Sequence, residues 1–190
     1  MSAEPASGDG LSCRFRLTHY LRFTALLLAF GLAAAAGMTR AGLTPLLVGW
    51  VGFIIVAFFF PGWGIRVLCT HCPFYARPGL ILRCNSTIGP LKLWRRRPGP
   101  ASGAERVQLQ VILAVLFGFP VIALLVAGQF LWAGLTAAAA ALLAWTETTF
   151  ACRRCVNFAC FLNRVSAGRR DAFLDRHPDL KKDWAQRSDA

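Results

Sequence analysis

Six of the seven cysteines lie in two short segments of the chain, and each segment contains a C-x-x-C pair. The first triad is Cys69, Cys72 and Cys84, with His71 inside its pair, and the second triad is Cys152, Cys155 and Cys160. A C-x-x-C turn places two sulfurs close enough to share one metal ion, and two such pairs complete a tetrahedral thiolate site. The spacing therefore predicts a metal site, in which zinc is favoured over an iron–sulfur cluster that would use the same ligands.

Three allocations of these ligands stay open. In the first, the pairs of both triads hold one ion, while Cys84 and Cys160 stay outside it or contribute to a second site. In the second, each triad recruits a fourth ligand, for which His71 and His177 are the candidates. In the third, four of the thiols hold an iron–sulfur cluster. The alternative without any metal treats the cysteines as small apolar residues or palmitoylation sites, which explains Cys13 but explains two C-x-x-C groups poorly.

Two arginines lie inside the second pair, which reads Cys152-Arg153-Arg154-Cys155. Positive charge beside a thiol stabilises the thiolate, so these arginines are expected to lower the pKa of both thiols. A thiolate is both the better metal ligand and the stronger nucleophile. The arginines therefore favour metal binding and thiol reactivity alike.

Four apolar runs must position the cysteine segments, at residues 20–38, 43–60, 107–127 and 130–150. Each is close to the ~20 residues that a helix needs to cross about 30 Å of hydrocarbon. The one Lys or Arg within a run is Arg22, one turn from an end, where a long side chain can reach the interface. The sequence therefore predicts an all-α polytopic membrane protein with four transmembrane helices.

Positive charge is strongly asymmetric about these runs. All of the 21 Lys and Arg residues except Arg40 lie at the start of the first run or before it, between the second and third runs, or after the fourth. Short segments rich in Lys and Arg stay in the cytoplasm, where reducing conditions disfavour disulfides. Both termini and both cysteine segments are therefore predicted on the cytoplasmic side of a multi-pass membrane protein.

The chain divides into three parts. Residues 1–18 are predicted to be a disordered basic leader, residues 19–150 a four-helix bundle with an irregular Cys-rich loop at 61–106, and residues 151–190 a Cys-containing basic tail. The loop is rich in Gly and Pro and has little apolar periodicity, so it is not expected to build a core of its own. Ser102 and Glu105 have the spacing of a capping box, which marks the start of the third helix.

The formal net charge of +12 raises the question of nucleic-acid binding, through release of counterions from phosphates. The same charges already act as topology signals and attract the anionic lipids of an inner leaflet. The expected partners are therefore the lipid bilayer and other membrane subunits, and not nucleic acid.

The two cysteine segments and their surroundings contain a characteristic set of short motifs. They are Cys69-Thr-His71-Cys72-Pro-Phe-Tyr75, Cys84, Lys92-Leu-Trp94, Arg97-Pro-Gly-Pro100 and Cys152-x-x-Cys155-Val-Asn157-Phe-x-Cys160-x-Leu162-Asn163. This set resembles a group of small uncharacterised prokaryotic multi-span membrane proteins, over the loop, the last two helices and the start of the tail. The group often has Pro after the last cysteine, where this chain has Phe161. The resemblance supports the cysteines as a set and implies a multi-pass protein of a prokaryotic inner membrane, but it implies no activity.

Three functions compete. The first is a metal-stapled cytoplasmic module on a membrane bundle, an accessory or assembly subunit of a larger membrane system without enzymatic activity. The second is a membrane thiol or electron-transfer oxidoreductase, although four-helix thiol oxidoreductases that reduce quinones use cysteines on the opposite face. The third is a soft-metal transporter, which would need soft ligands inside the spans, where there is only Met38 at an outer end. The sequence favours the first function.

Overall fold

The computed structural model describes residue 11 and residues 17–76, 78–83, 88–97 and 99–185, and it is mostly helical. In chain order the elements are α1 (Leu17–Arg40), α2 (Thr44–Phe58), α3 (Trp63–Leu68), a 3₁₀ turn (Pro73–Ala76), β1 (Ile81–Arg83), β2 (Ile88–Leu91), α4 (Gly103–Val126), α5 (Phe130–Thr146), a π-helical turn (Glu147–Ala151), α6 (Ala167–Asp175) and α7 (Pro178–Ala185). Four segments are long and apolar enough to cross a membrane: Leu17–Arg40, Thr44–Leu68, Gly103–Val126 and Phe130–Ala151. The prediction of a helical chain with four such segments is confirmed.

The ends of these segments differ from the predicted runs for local reasons. α4 begins four residues before the predicted start at 107, because the Ser102 side chain caps the helix and Glu105 completes the capping box. The second segment continues beyond residue 60 through a break at Pro61, which has no backbone N–H, and Gly62, which has a φ of +70°. α3 begins after that break and leads directly to the first cysteine.

The four long helices form an antiparallel bundle in which α2 and α5 each pack against both α1 and α4. At one end, Met38 of α1 contacts Leu124 of α4 and Ala133 of α5. At the other end, Ala57 of α2 packs near Leu109 of α4. The loop after α2 and the tail after α5 both extend from this second end, which we call the cysteine end.

Large apolar side chains cover the outer surface of the bundle. Leu32, Val48, Val126 and Leu131 are between 66% and 86% exposed, and they lie on four different long helices or their ends. A continuous apolar surface of this kind is unfavourable in water, whereas helices that hydrogen-bond their own backbone can present it to lipid. This surface, together with the four long apolar helices, suggests a membrane protein.

α1 packs closely against α4 and α5 at Gly37. A Cβ atom there would lie 2.6 Å from the Cβ of Trp132 and 2.8 Å from a methyl carbon of Leu124, which is too close for any side chain. Gly31, the other glycine of α1, has no atom within 4 Å of an added Cβ. Small residues at helix contacts let membrane helices pack tightly, and only Gly37 of this pair has that role.

Pro120 lies inside α4 and has no backbone N–H, so the carbonyl of Leu116 lacks its helical donor. The indole Nε1 of Trp50, on α2, donates a hydrogen bond to that carbonyl oxygen at 3.1 Å. Both residues are buried, and an unpaired buried carbonyl costs about 1–3 kcal/mol. The side chain of one helix thus replaces the backbone donor that a proline removes from another.

The loop at the cysteine end has more structure than the irregular loop that was predicted. Ile65 of α3 and Leu82 of β1 form a small apolar cluster with Tyr75. Ile81 pairs with Leu91 in the antiparallel sheet of β1 and β2. The strands have three and four residues and no alternating apolar pattern, so the sequence carried little signal for them.

The tail folds into α6 and α7, which cover its own apolar residues. Phe173 and Leu174 of α6 are buried against Val156, and Leu11 of the leader packs in the same cluster. The other residues of the leader before α1 lie outside the described residues. The tail is therefore a small folded unit at the cysteine end.

Trp50→Phe should destabilise the bundle by roughly 1–2 kcal/mol, because the Leu116 carbonyl is left without a donor. Pro120→Ala restores a backbone N–H to that carbonyl, so Trp50→Phe should cost clearly less in that background. Unfolding free energies in detergent, arranged as a double-mutant cycle, measure this difference. Trp145→Phe, at a 68% exposed position, is the control and should change stability little. Additive losses would show that the indole does not serve the carbonyl that the proline leaves unpaired.

Candidate functional site

Backbone N–H groups point at two of the three sulfurs of the second triad. The backbone nitrogen of Asn157 lies 3.4 Å from Sγ of Cys155. The N–H of Asn163 donates to the Cys160 carbonyl at 3.0 Å, and the N–H groups of Leu162 and Asn163 act to lower the pKa of the Cys160 thiol. Donors aimed at a sulfur stabilise its thiolate form, the form that binds metals.

Burial acts in the opposite direction on the same triad. It raises the pKa of Cys152 to about 12 and the pKa of Cys160 to about 11. Repulsion by Cys155 adds to both shifts, and Cys160 itself adds to the shift of Cys152. The three sulfurs therefore lie within electrostatic range of one another, and without a cation Cys152 and Cys160 stay protonated at neutral pH.

The arginines inside the second pair do not control the pKa of Cys152. Arg153 and Arg154 are exposed, and the expectation that they lower the pKa of Cys152 is wrong, because burial raises that pKa. The arginine whose charge favours the Cys152 thiolate is Arg164, and its backbone N–H also donates to the Cys152 carbonyl at 3.0 Å. The arginine whose charge acts on the Cys152 thiol is thus not one of the two that follow it in sequence.

The first pair lies in a tight turn after α3. The N–H of Cys69 donates to the Ile65 carbonyl at 2.8 Å, and the N–H of Cys72 donates to the Cys69 carbonyl at 2.9 Å. The Cys72 side chain is buried and that of Cys69 is half-buried. Tyr75, also buried, accepts a hydrogen bond from the backbone N–H of Trp94 on its hydroxyl at 3.1 Å. The turn is therefore held by α3 on one side and by the chain after β2 on the other.

An aromatic cluster closes the break between α2 and α3. The indole Nε1 of Trp94 donates to the Pro61 carbonyl at 2.8 Å, and its ring meets that of Trp63 edge to face at 6.3 Å. The Arg66 guanidinium lies 4.8 Å from the Trp63 ring centre and 5.4 Å from that of Trp94. Cation–π contacts of this kind contribute about 0.5–1 kcal/mol each at exposed sites.

One side chain joins the two cysteine segments. The Nδ2 of Asn157 donates to the carbonyl of Leu68 at 2.8 Å, and Leu68 directly precedes Cys69. Asn163 in turn orders the second segment, because its Nδ2 donates to the carbonyls of Cys155 and Asn157 at 2.8 Å and 3.0 Å. The turns that carry the two pairs are therefore direct neighbours.

Glu105 attaches the first pair to the bundle, and its carboxylate is buried at the start of α4. Its Oε2 accepts from the N–H of Ser102 at 2.9 Å, and its Oε1 pairs with the guanidinium of Arg97. The Nε2 of His71 lies 3.5 Å from Oε2, and the Nδ1 of His71 faces the Gly99 carbonyl at 3.1 Å. The carboxylate therefore holds the residue between Cys69 and Cys72 against the bundle.

Both candidate histidine ligands have other partners in this arrangement. The two ring nitrogens of His71 face oxygen atoms of Glu105 and Gly99. His177 stacks on the ring of Phe173 at 4.3 Å, and its Nδ1 lies 2.8 Å from the Phe173 carbonyl oxygen. Either ring would have to leave these partners to bind a metal.

Only some of the predicted thiol ligands belong to the residues that the structure describes. The five described cysteines are Cys69, Cys72, Cys152, Cys155 and Cys160, and no disulfide joins them. Cys13 and Cys84 lie outside the described residues. Within the described part of the chain, no three or more His, Cys, Asp or Glu side chains are grouped so that they could hold a metal ion. The metal site therefore stays a prediction, as do zinc and an iron–sulfur cluster.

Comparison of the chain with protein-family models, with curated proteins and with solved structures finds no match. The resemblance to small prokaryotic membrane proteins therefore stays a prediction.

Sequence reasoning missed the residues that position the cysteines. Asn157 and Asn163 belonged to the recurring motif, but their hydrogen bonds to carbonyls were not anticipated. Glu105 was recognised through its capping spacing and not as the partner of Arg97 and His71. One sequence feature could have indicated these contacts. An acidic residue at the start of a helix follows a loop that contains a histidine and several arginines.

Glu105→Ala should loosen the first pair from α4, because it removes the common partner of Arg97, His71 and Ser102. Removing one member of a buried ion pair costs about 3–5 kcal/mol, and we expect less because the Arg97 side chain is 33% exposed. Limited proteolysis of the detergent-solubilised protein should therefore cleave faster between residues 77 and 97. Glu105→Gln keeps an acceptor for Ser102 and should give an intermediate rate.

Arg106→Ala is the matched control, because it removes an exposed charge from the next position of α4. Its cleavage rate should equal that of the unmodified protein. Equal rates for Glu105→Ala and Arg106→Ala would contradict the role given to the carboxylate.

Proposed function

We propose that this chain is an integral membrane protein with a thiolate metal site at the cytoplasmic end of its bundle. It serves as an accessory or assembly subunit of a larger membrane system and not as an enzyme. The ion is zinc in preference to an iron–sulfur cluster, and its ligands come from the first and second triads.

The observation that carries this proposal is that backbone N–H groups lie beside half-buried sulfurs of the second triad. Hydrogen bonds to Cys155 and Cys160 favour thiolates, whereas burial opposes them at Cys152 and Cys160. A bound cation removes the conflict, because coordination deprotonates a thiol and compensates its charge. A small apolar residue or an acylation site has no need of such donors.

The Asn157 hydrogen bond supports a site that draws on both segments. It joins the turn after Cys155 to the residue before Cys69. Four thiolates in a closed tetrahedron would then staple the loop to the base of α5. Such an ion leaves no open position for water or substrate, which fits a structural role.

The burial of the thiols disfavours the oxidoreductase. A reactive cysteine needs an accessible sulfur with a lowered pKa, whereas burial raises the pKa of Cys152 to about 12 and Cys72 is buried. A transporter for soft metals is disfavoured because the apolar runs contain no cysteine.

Purified protein should contain close to one zinc per chain, measured by elemental analysis together with an anaerobic absorption spectrum. If the pairs share the ion, Cys69→Ser and Cys152→Ser should each reduce the bound metal, and the double variant should lose little more. Cys13→Ser, which lies in neither triad, is the control and should keep the metal.

Independent stoichiometric losses from the two variants would instead indicate one site per triad. Iron with sulfide would support electron transfer. Full metal retention in both variants, or no metal in the unmodified protein, would contradict the staple.

The cysteine end should face the cytoplasm, because nearly all Lys and Arg residues lie at this end. A membrane-impermeant maleimide added to intact cells should leave Cys69 and Cys155 unmodified, and both should react once the membrane is opened and the metal chelated. A cysteine introduced at Gly42, in the turn between α1 and α2, should react from outside. Labelling of Cys69 or Cys155 in intact cells would reverse the orientation and revive the quinone-linked oxidoreductase.

A further inference from the structure

A second chemical feature of the cysteine end is a basic cleft beside the end of α5. Three arginines and three hydroxyl side chains line it: Arg153, Arg164, Arg169, Thr148, Thr149 and Ser166. The cleft is open to its surroundings, and its volume is about 520 Å³. None of these residues is a ligand in the proposed metal site.

The lining of the cleft is positively charged, since it contains three arginines and no carboxylate. Each guanidinium presents a planar fork of N–H donors that can bind two phosphate oxygens at once. Three such groups around one cleft can surround a single phosphate from several directions. The charge and the donor geometry therefore fit a phosphate group.

The threonines add acceptors to the same cleft. The hydroxyl of Thr148 donates to the Ala144 carbonyl at 2.7 Å, and that of Thr149 donates to the Trp145 carbonyl at 2.6 Å. Because each hydroxyl proton is already donated to a carbonyl, the two hydroxyl oxygens are available to the cleft as hydrogen-bond acceptors. They suit a ligand that carries hydroxyl donors next to its phosphate, as a phosphoglycerol headgroup does.

The cleft lies where a span leaves the apolar layer. Thr148 and Thr149 belong to the π-helical turn that ends the last membrane segment. Trp145, 68% exposed, lies just before them, and the Arg22 guanidinium lies 4.6 Å from the ring centre of Phe150. Exposed aromatic rings and arginines at the ends of spans mark the level of the lipid headgroups.

We propose that this cleft binds the phosphate of an anionic glycerophospholipid. A free phosphate ion also offers negative charge and P–OH donors for the threonine oxygens, but it does not need a site at the membrane surface. The proposal is independent of the metal and of which leaflet surrounds the cysteine end. In this proposal Arg153, Arg164 and Arg169 bind one lipid together. Diffuse attraction to a bilayer would not distinguish these three arginines from the other exposed ones.

The test is native mass spectrometry of the purified full-length protein in detergent, titrated with phosphatidylglycerol, phosphatidylcholine or inorganic phosphate. Phosphatidylglycerol should bind at least about tenfold more tightly than phosphatidylcholine, because only its headgroup combines net negative charge with hydroxyl donors. The triple variant R153Q/R164Q/R169Q should lose about tenfold or more of the affinity for phosphatidylglycerol.

The matched control is R95Q/R106Q/R154Q, which removes the same charge from three exposed arginines outside the cleft. It should change the affinity by less than about threefold. If the glutamine variant at the cleft does not fold, R153K/R164K/R169K keeps the charge while removing the forked donors, and it should still weaken binding. Thermal unfolding in detergent identifies the variants that fold.

Equal losses in the cleft and control triples would overturn the proposal in favour of diffuse attraction. Equal binding of phosphatidylglycerol and phosphatidylcholine, or unchanged binding in the folded lysine variant, would also overturn it. Inorganic phosphate that binds more tightly than phosphatidylglycerol, with the same dependence on the three arginines, would keep the phosphate chemistry and overturn the lipid as its source.

Discussion

Backbone carbonyls that a helix leaves unpaired must find donors, and in this molecule distant side chains supply them. The pairs are the Pro61 carbonyl with Trp94, the Leu68 carbonyl with Asn157, and the Leu116 carbonyl with Trp50. Of the three, the bond from Trp50 is buried, where no water can replace the donor, whereas the bonds from Asn157 and Trp94 are part-buried and exposed and position the segments that provide them. Breaks in the helices thus determine where the loop and tail lie.

This constraint explains why the cysteine end is ordered although its segments are short. The loop contributes only a small apolar cluster around Tyr75, and hydrophobic burial of that size cannot hold a segment of this length. The remaining stability comes from directed contacts, of which the Glu105 carboxylate makes several at the start of α4. A metal ion shared by the two pairs would add one more such contact at the point where Asn157 already joins them.

The sequence predicted what depends on neighbouring residues and missed what depends on distant ones. The apolar runs and the capping box at Ser102 and Glu105 are local patterns, and both are found in the structure. The bond from Asn157 to Leu68 spans 89 positions, and no spacing rule links such residues. The effect of Arg153 on the second pair was misjudged for the same reason, since burial of a thiol depends on the whole fold and not on the adjacent side chains.

The second triad shows best how packing and hydrogen bonding can oppose each other at one site. A structural thiol is normally buried without donors, and a reactive thiol is normally exposed with a lowered pKa. Cys160 follows neither pattern, because burial raises its pKa to about 11 while two backbone N–H groups act against that shift. The two effects oppose each other on the same thiol. The cation proposed above would favour the thiolate form that the N–H groups also stabilise.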